Sequence, residues 1–540
     1  MGVLNNSMWN VASGASNFYE HQIANSARIP ATSSTSSSNG RLTRTVGTVD
    51  SNVHFTLNFW IKRSAIYGLN PVGGARLLNL FTPRSGTSGS TLHEFGFAAT
   101  GSYGGGDAFA ITNTNTGAYV LSTHNLFRDT SAWYNIHIQA DLDNGTAGEK
   151  LKIYVNGTEA SYNVDNRANF TAFAGMVAGA WTIGDYYNYG YPIQSYLAQF
   201  CFIDGTTVAV SSFGETKNGV WVPKDPSGLT FGSEGYLLNF EASGDLGNDS
   251  SGNNNDWTSV NLSAHDQVID SPTFGSSSSG NFPLWSPLFK GLNVASLREG
   301  NTRMDCSTGG KGALTSWAIP TGTKYYIECL VEHVTNFNIV FGIANTLFDI
   351  SDYDESDASM NGILFRANSA SSWDTCGLTN GSRGTFGSNV GQTAGRVLAM
   401  TVNRVDNEIK MYLDNSLKHT ISISATEVYH VACTTDGGDN ASVHMNINAG
   451  HDSTGAGDFS AGSATDENGF GNFQHAPPSG FLALCSANLT VATEVDPAQD
   501  VSPNQFFDTV IYTGDGGTNT SITSLNFQPD WLLIKNRDVT

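Results

Sequence analysis

Glycan recognition needs flat apolar rings for the C–H faces of a sugar, beside amides and carboxylates that bond its hydroxyls. One stretch of the chain offers both: Trp181, Asp185, Tyr186, Tyr187, Asn188, Tyr189 and Tyr191 follow closely among turn-forming residues. The same composition suits a loop packed between subunits, so sugar contact and subunit contact are both open readings. Metal chemistry has its densest candidate in Asp349, Asp352, Asp354 and Asp357, with Glu355 among them. Alternating hard oxygens of this kind would take Ca²⁺, the one cofactor the chain suggests. The spacing misses the twelve-residue calcium loop, with no Gly at its sixth place and no closing Glu, so a solvated connecting loop competes with the metal reading. Asp141 and Asp143 form a lesser pair that also reads as exposed turn acids.

Covalent chemistry finds no constellation. The chain has no GxSxG elbow with partners, no HExxH and no phosphate-binding loop; His93-Glu94 lacks its second His, and Gly309-Gly310-Lys311-Gly312 lacks the Gly spacing and hydroxyl residue. A paired-carboxylate glycosidase would need two acids pointing inward on facing strands. The inward positions that can be assigned carry Phe, Leu, Ile and Val instead, so no catalytic residue is expected and the chain reads as non-enzymatic.

The elements that position these residues announce themselves as one hairpin written twice. WYNIHIQADLDNGTAGEKLKIYVNG (133–157) and GRVLAMTVNRVDNEIKMYLDN (395–415) are each a strand, a polar turn and a second strand ending before Asn-Gly or Asp-Asn. Ile136, Ile138 and Ala140 alternate with polar residues, as do Leu151, Ile153 and Val155; that period of two leaves one face buried and one wet. Leu398, Met400 and Val402 repeat it against Ile409, Met411 and Leu413. Phe55, Leu57, Phe59 and Ile61 form another inward row, and Tyr196, Ala198, Phe200 and Phe202 a second that should lie beside it. Residues tolerant of positive φ follow both hairpins, as a tight turn requires.

The 540 residues exceed one core, and 59 Gly, 30 Phe and 19 Tyr with few Lys and Glu point to strands and turns rather than helices. The predicted fold is all-β: two tandem antiparallel β-sandwiches of jelly-roll type, an N-terminal extended anchor and a partial C-terminal β unit. The boundaries read as 1–40, a docking segment with Trp9, Phe18 and Tyr19 as its contacts; 41–245, the first sandwich; 246–300, a linker; 301–490, the second sandwich; and 491–540, the start of a further β domain. With 26 Lys+Arg against 48 Asp+Glu the net charge is −22, a poor match for nucleic acid. No stretch suits a membrane span or a secretory signal, and the six scattered cysteines read as buried free thiols.

The order of short motifs carries a further signal. It runs NFYEHQIANSARI from Asn17, FWIKR from Phe59, KIYVNG from Lys152, FIDG from Phe202, SFGET from Ser212 and GVWVPK from Gly219. DSSGNNNDW from Asp249, PSGFLAL from Pro478 and FQPDWLLIK from Phe527 follow. This set resembles large structural proteins of marine tailed bacteriophages, in which a laminin-G-like (concanavalin A-like) sandwich precedes a SPRY-like sandwich and a further β domain. The resemblance implies a virion protein made in the host cytoplasm, a tail fibre or appendage that contacts host surface glycans without catalysis. A purely structural capsid-decorating or tail-assembly subunit is the alternative, and a glycan depolymerase a third. Its implied partners are other virion proteins through the N-terminus, a host-cell glycan and further copies of itself, a trimer by analogy, with no nucleic acid and no membrane insertion.

Overall fold

The computed structural model describes residues 18–31, 38–66, 77–86, 91–98, 106–113, 118–186, 192–275, 279–290, 296–306, 312–347, 362–367, 372–376, 384–388, 394–489 and, in part, 505–535. Among them every element is a strand or a three-residue 3₁₀ turn, so the all-β expectation holds.

The first unit is two facing eight-stranded antiparallel sheets. One is centred on His54–Arg63, which pairs with Trp133–Asp141 on one side and Ser195–Asp204 on the other. The second runs through Ala108–Asn113, His93–Ala98, Leu77–Thr82, Gly179–Ile183 and Arg41–Val46. Phenylalanines from both inner faces fill the space between: Phe59 stacks on Phe200 at 5.3 Å, and Phe81 and Phe95 meet at 5.5 Å. Rings of this size each bury a large apolar area, which makes them the main source of cohesion here.

Both copies of the hairpin form in the register their alternation demands. Ile136, Ile138 and Ala140 lie opposite Val155, Ile153 and Leu151; Leu398, Met400 and Val402 lie opposite Leu413, Met411 and Ile409. Asn156 and Gly157 take φ of 48° and 76°, and Asp414 and Asn415 take 44° and 65°, so each turn uses two consecutive left-handed residues.

Three expectations are corrected. Tyr196, Ala198, Phe200 and Phe202 do not share a face. The pairing with His54–Arg63 slips between Ala198 and Cys201, where Gln199 has φ +46°, and this bulge inverts the alternation. Tyr196 and Ala198 therefore join Trp60 and Trp133 in an outer apolar cluster, while Phe200 and Phe202 enter the central core.

The anchor segment is not free from residue 18 onward. Ser26–Ile29 is a strand of the first unit, paired with Ser195–Asp204 and Gln267–Val268. Phe18 and Tyr19, proposed as docking contacts, are buried against Val220, Val222 and Phe274 of the same chain. Their rings satisfy the chain's own apolar surface and are not available to a partner. Trp9 lies outside the described residues.

The polar run at 244–257 is part of the first unit rather than a linker. Leu246 and Trp257 are buried in its core. Asp249 accepts hydrogen bonds from the backbone N–H groups of Leu237, Ser251 and Asn255, at 2.8 to 2.9 Å. The Asn255 side chain donates to Gly235 O at 2.8 Å. Asp, Asn and Ser side chains supply the bonds that an irregular backbone cannot make with itself. Strands Thr258–Val260 and Gln267–Val268 then complete both sheets. Among the described residues of 505–535 there is no strand, so the further β unit finds no element there.

The second unit is one continuous network of strands around one large core, with a separate small cluster of Leu314, Val340, Ala344, Leu364 and Ala432. Lys324–Ala344 is 21 residues long and Tyr429–Asn448 is 20. Straight, each would span about 70 Å at ~3.3 Å per residue, too long for one flat layer. Register shifts at Val331/His333 and Thr335/Phe337 break the pairing of these two strands with each other. Lys324–Val331 consequently pairs with Arg396–Asn403, and Ile339–Ala344 with Gly362–Ala367.

Buried polar contacts join the two units. Lys62 Nζ donates to Asp270 Oδ2, Asn281 Oδ1 and Phe282 O, each at 2.7 Å, which uses all three of its protons. Trp133 Nε1 donates to Asp270 Oδ1 at 2.9 Å. Arg28, from the first unit, donates to Asp452 of the second at 2.8 Å. Tyr196 Oη donates to Gly300 O, and Asn301 Nδ2 to Ser64 O.

Candidate functional site

The aromatic stretch after 181 is divided by the strand that begins it. In Gly179–Ile183 the alternation turns Trp181 inward, where its ring meets Phe81 and Phe202 edge-on at 5.5 and 5.4 Å. Its Nε1 donates to Val177 O at 3.1 Å. A ring with no exposed face cannot stack on a sugar, so Trp181 leaves the candidate set. Asp185 is also fully buried, and its carboxylate accepts the Tyr186 N–H at 2.7 Å. It holds the turn instead of facing solvent. Tyr186 is half-buried. Tyr187, Asn188, Tyr189 and Tyr191 lie outside the described residues, as do Asp349, Asp352, Asp354 and Asp357.

The structure assembles a different group on the rim of the first sandwich. His54 opens the central strand and lies directly opposite Asp141, the last residue of Trp133–Asp141. The chain then turns back: Leu142 N donates to Val53 O at 3.0 Å, and this brings Asp143 round to the same point. His54 Nε2 lies 3.2 Å from Asp141 Oδ1 and 2.8 Å from Asp143 Oδ1. One ligand atom from each of the three residues lies within 4.8 Å of the others, the one metal-competent group among the described residues. Ser51 Oγ stands 3.4 Å from His54 Nδ1, and Asn144 Nδ2 donates to Asp141 Oδ2 at 2.9 Å. The hydrogen bond from His54 holds the Asp143 carboxyl below the usual carboxylate range. Sequence reading reached Asp141 and Asp143 but missed His54. The cue was available: pairing the apolar rows of 54–63 and 133–141 places His54 against Asp141.

Two buried carboxyls in the second unit are tuned differently. Glu328, fully buried, accepts from Tyr326 Oη, Asn448 Nδ2 and the backbone N–H groups of Gln474 and His475, at 2.8 to 3.1 Å. Burial pushes its pKa up to about 7, against these lowering hydrogen bonds. Burial likewise raises Glu332 to about 9, although Arg303 Nη1 lies 3.1 Å away. Glu328 pins the loop at 474–475 to the sheet, a structural duty. Cys201, Cys306, Cys329, Cys433 and Cys485 are buried and form no disulfide with one another, and Cys376 lies outside the residues whose side chains are described.

No family model matches the chain, and no curated protein matches it. Among solved structures it is similar to the SPRY domain of human HERC1, at 11% identity over 27% of this chain and 87% of that one, with a TM-score of 0.23. It is similar also to the TRIM65 PSpry domain, at 9% identity over 31% of this chain and 91% of that one, with a TM-score of 0.24. Both are SPRY domains, the type expected from the sequence for part of the chain. TM-scores this low carry no argument, so the fold assignment rests on strand pairing itself.

Proposed function

We propose that this chain is a non-catalytic structural protein of a tailed-phage virion, a tail fibre or related appendage, whose rigid body presents loops to the host surface. The observation that carries the reading is the joint. Arg28 with Asp452 is a buried charge pair crossing between the units, and Lys62, paired with Asp270 of its own unit, also donates to the carbonyl of Phe282 in the second core. Pulling Asp452 away from Arg28 leaves a buried carboxylate without its cation, so the two sandwiches resist hinging against each other. An appendage that transmits a contact from its tip to the particle needs such stiffness. The ordered motifs of the sequence support the same reading.

Among the described residues of the aromatic stretch, host-glycan contact falls to Tyr186, since Trp181 and Asp185 are committed to the interior. Antibody raised against the whole chain should label appendages of purified particles of the phage that encodes it. Particles that carry none of the chain would overturn the proposal. Soluble full-length chain should compete with particle adsorption to host cells, and Tyr186→Ala should weaken that competition. Equal competition by the variant would move the chain to the purely structural reading, as a capsid-decorating or tail-assembly subunit.

A further inference from the structure

We infer that His54, Asp141 and Asp143 form a binding site for a borderline divalent transition cation, with Zn²⁺ as its natural probe. In a tetrahedral centre with ligand bonds of about 2.0 to 2.1 Å, neighbouring ligand atoms sit about 3.3 Å apart, and in an octahedral one about 3 Å. The two edges His54 Nε2 to Asp141 Oδ1, at 3.2 Å, and His54 Nε2 to Asp143 Oδ1, at 2.8 Å, fall near these lengths. Three protein ligands with the remaining positions left to water is the arrangement of an open metal centre. The side chains of His54, Asp141 and Asp143 are 32, 34 and 67% exposed, so an ion reaches them without unfolding the rim.

The donor set selects the ion. An imidazole nitrogen is a poor ligand for Ca²⁺, which takes oxygen, and a good one for Zn²⁺ and its neighbours. Two carboxylates and a neutral imidazole carry a charge of −2, which a divalent ion cancels. Ser51 beside Nδ1 and Asn144 on the far oxygen of Asp141 hold two of the three ligands from behind, as outer partners do around metal sites. A protonated imidazole clamped between two acids uses the same distances, and the two states are separable because metal must displace the Nε2 proton.

The test is calorimetric titration of the chelator-treated full-length chain with ZnCl₂ at pH 7.5, alongside His54→Ala and Asp143→Asn. The expected result is one saturable Zn²⁺ per chain, weakened at least tenfold by either substitution and weakened again on lowering the pH to 5.5. CaCl₂ at the same concentration should bind at least tenfold more weakly. Both substituted residues lie on the exposed rim, and circular dichroism of each variant checks that the sandwich persists. Absence of saturable binding, wild-type affinity in His54→Ala, or Ca²⁺ binding as tightly as Zn²⁺ would each overturn the inference.

Discussion

Both sandwiches bury histidines and carboxyls, and one pair from each shows how burial acts on the two kinds of group. In the first, His93 and His137 sit among rings: His93 against Phe170 and Phe173, and His137 against Tyr154 and Phe213. Burial lowers their pKa values to about 4 and about 3. In the second, burial raises Glu328 to about 7 and Glu332 to about 9. One cause, desolvation, disfavours the cation at these histidines and the anion at these carboxyls, and it acts in both units: His451 of the second is lowered to about 3, and Asp204 and Asp270 of the first are raised. The native pKa of His137 lies below its ordinary 6.5, so its contribution is full above about pH 6.5 and is lost as pH falls toward 3. Glu328 lies above its ordinary 4.5, so its contribution is full below about pH 4.5 and is lost as pH rises through 7. Acid should therefore cost stability at His137 in the first sandwich and at His451 in the second, and neutral to alkaline pH should cost it at Glu328.

The severest challenge to this contrast is to remove what joins the halves. Lys62→Met strands Asp270 without its cation in a fully buried place, and the expected cost is about 3 to 5 kcal/mol in urea unfolding. Loss of the joint should also split one unfolding transition into two. A single transition with unchanged midpoint would show that the seam does not couple the units. Replacing both partners, Lys62→Met with Asp270→Leu, should recover most of the loss, because no buried charge then remains unpaired.

His137→Phe tests the acid side. The Val208 carbonyl that His137 faces also accepts from Gln139 Nε2 at 2.7 Å, so the substitution leaves no orphaned acceptor. Between pH 6.5 and 4 the wild-type histidine should account for about 3 kcal/mol of lost stability, at about 1.4 kcal/mol per pH unit. The variant should lack that slope, and stability curves parallel to wild type across this window would refute the assignment. Glu328→Gln tests the other side with a somewhat smaller effect. The amide sets an NH₂ against at least one N–H donor, so the variant should be less stable than wild type at pH 5 yet lack the further loss of about 2 to 3 kcal/mol that wild type shows between pH 5 and 8. Stability curves of variant and wild type that run parallel from pH 5 to 8 would mean that the four donors hold the carboxylate ionised throughout.

What could be read in the sequence followed the range of its signals. Alternation is local, and it located both hairpins, their registers and their positive-φ turns. It failed at Gln199, where one bulged residue inverted every later assignment on the strand without altering composition. Polarity was misread at 244–257, because Asp249 and Asn255 look solvated until their backbone partners are known. Trp181 and Asp185 resembled a binding surface for the same reason: whether a ring faces a sugar or the core depends on which strand it ends. The rim group needed a contact between residues far apart in the chain, His54 and Asp141, which only strand pairing supplies.

The smallest effects belong to the repeated turn, where the two copies differ at both positions, Asn156-Gly157 against Asp414-Asn415. Gly157 has φ +76°, and a Cβ there would lie 2.3 Å from the Trp221 ring, so this turn admits only glycine. Its counterpart Asn415 has φ +65° and is exposed. Asn tolerates the left-handed region at some cost, whereas Gly enters it freely. Gly157→Asn should thus cost at least ~1 to 2 kcal/mol through strain and contact with Trp221. Asn415→Gly should instead stabilise the second hairpin by a few tenths of a kcal/mol, since relief of the φ penalty is partly offset by greater freedom in the unfolded chain. Thermal unfolding of the two variants checks the pair. Equal effects of the same sign would mean that the turns are held by their surroundings, with Trp221 playing no part in the requirement for glycine.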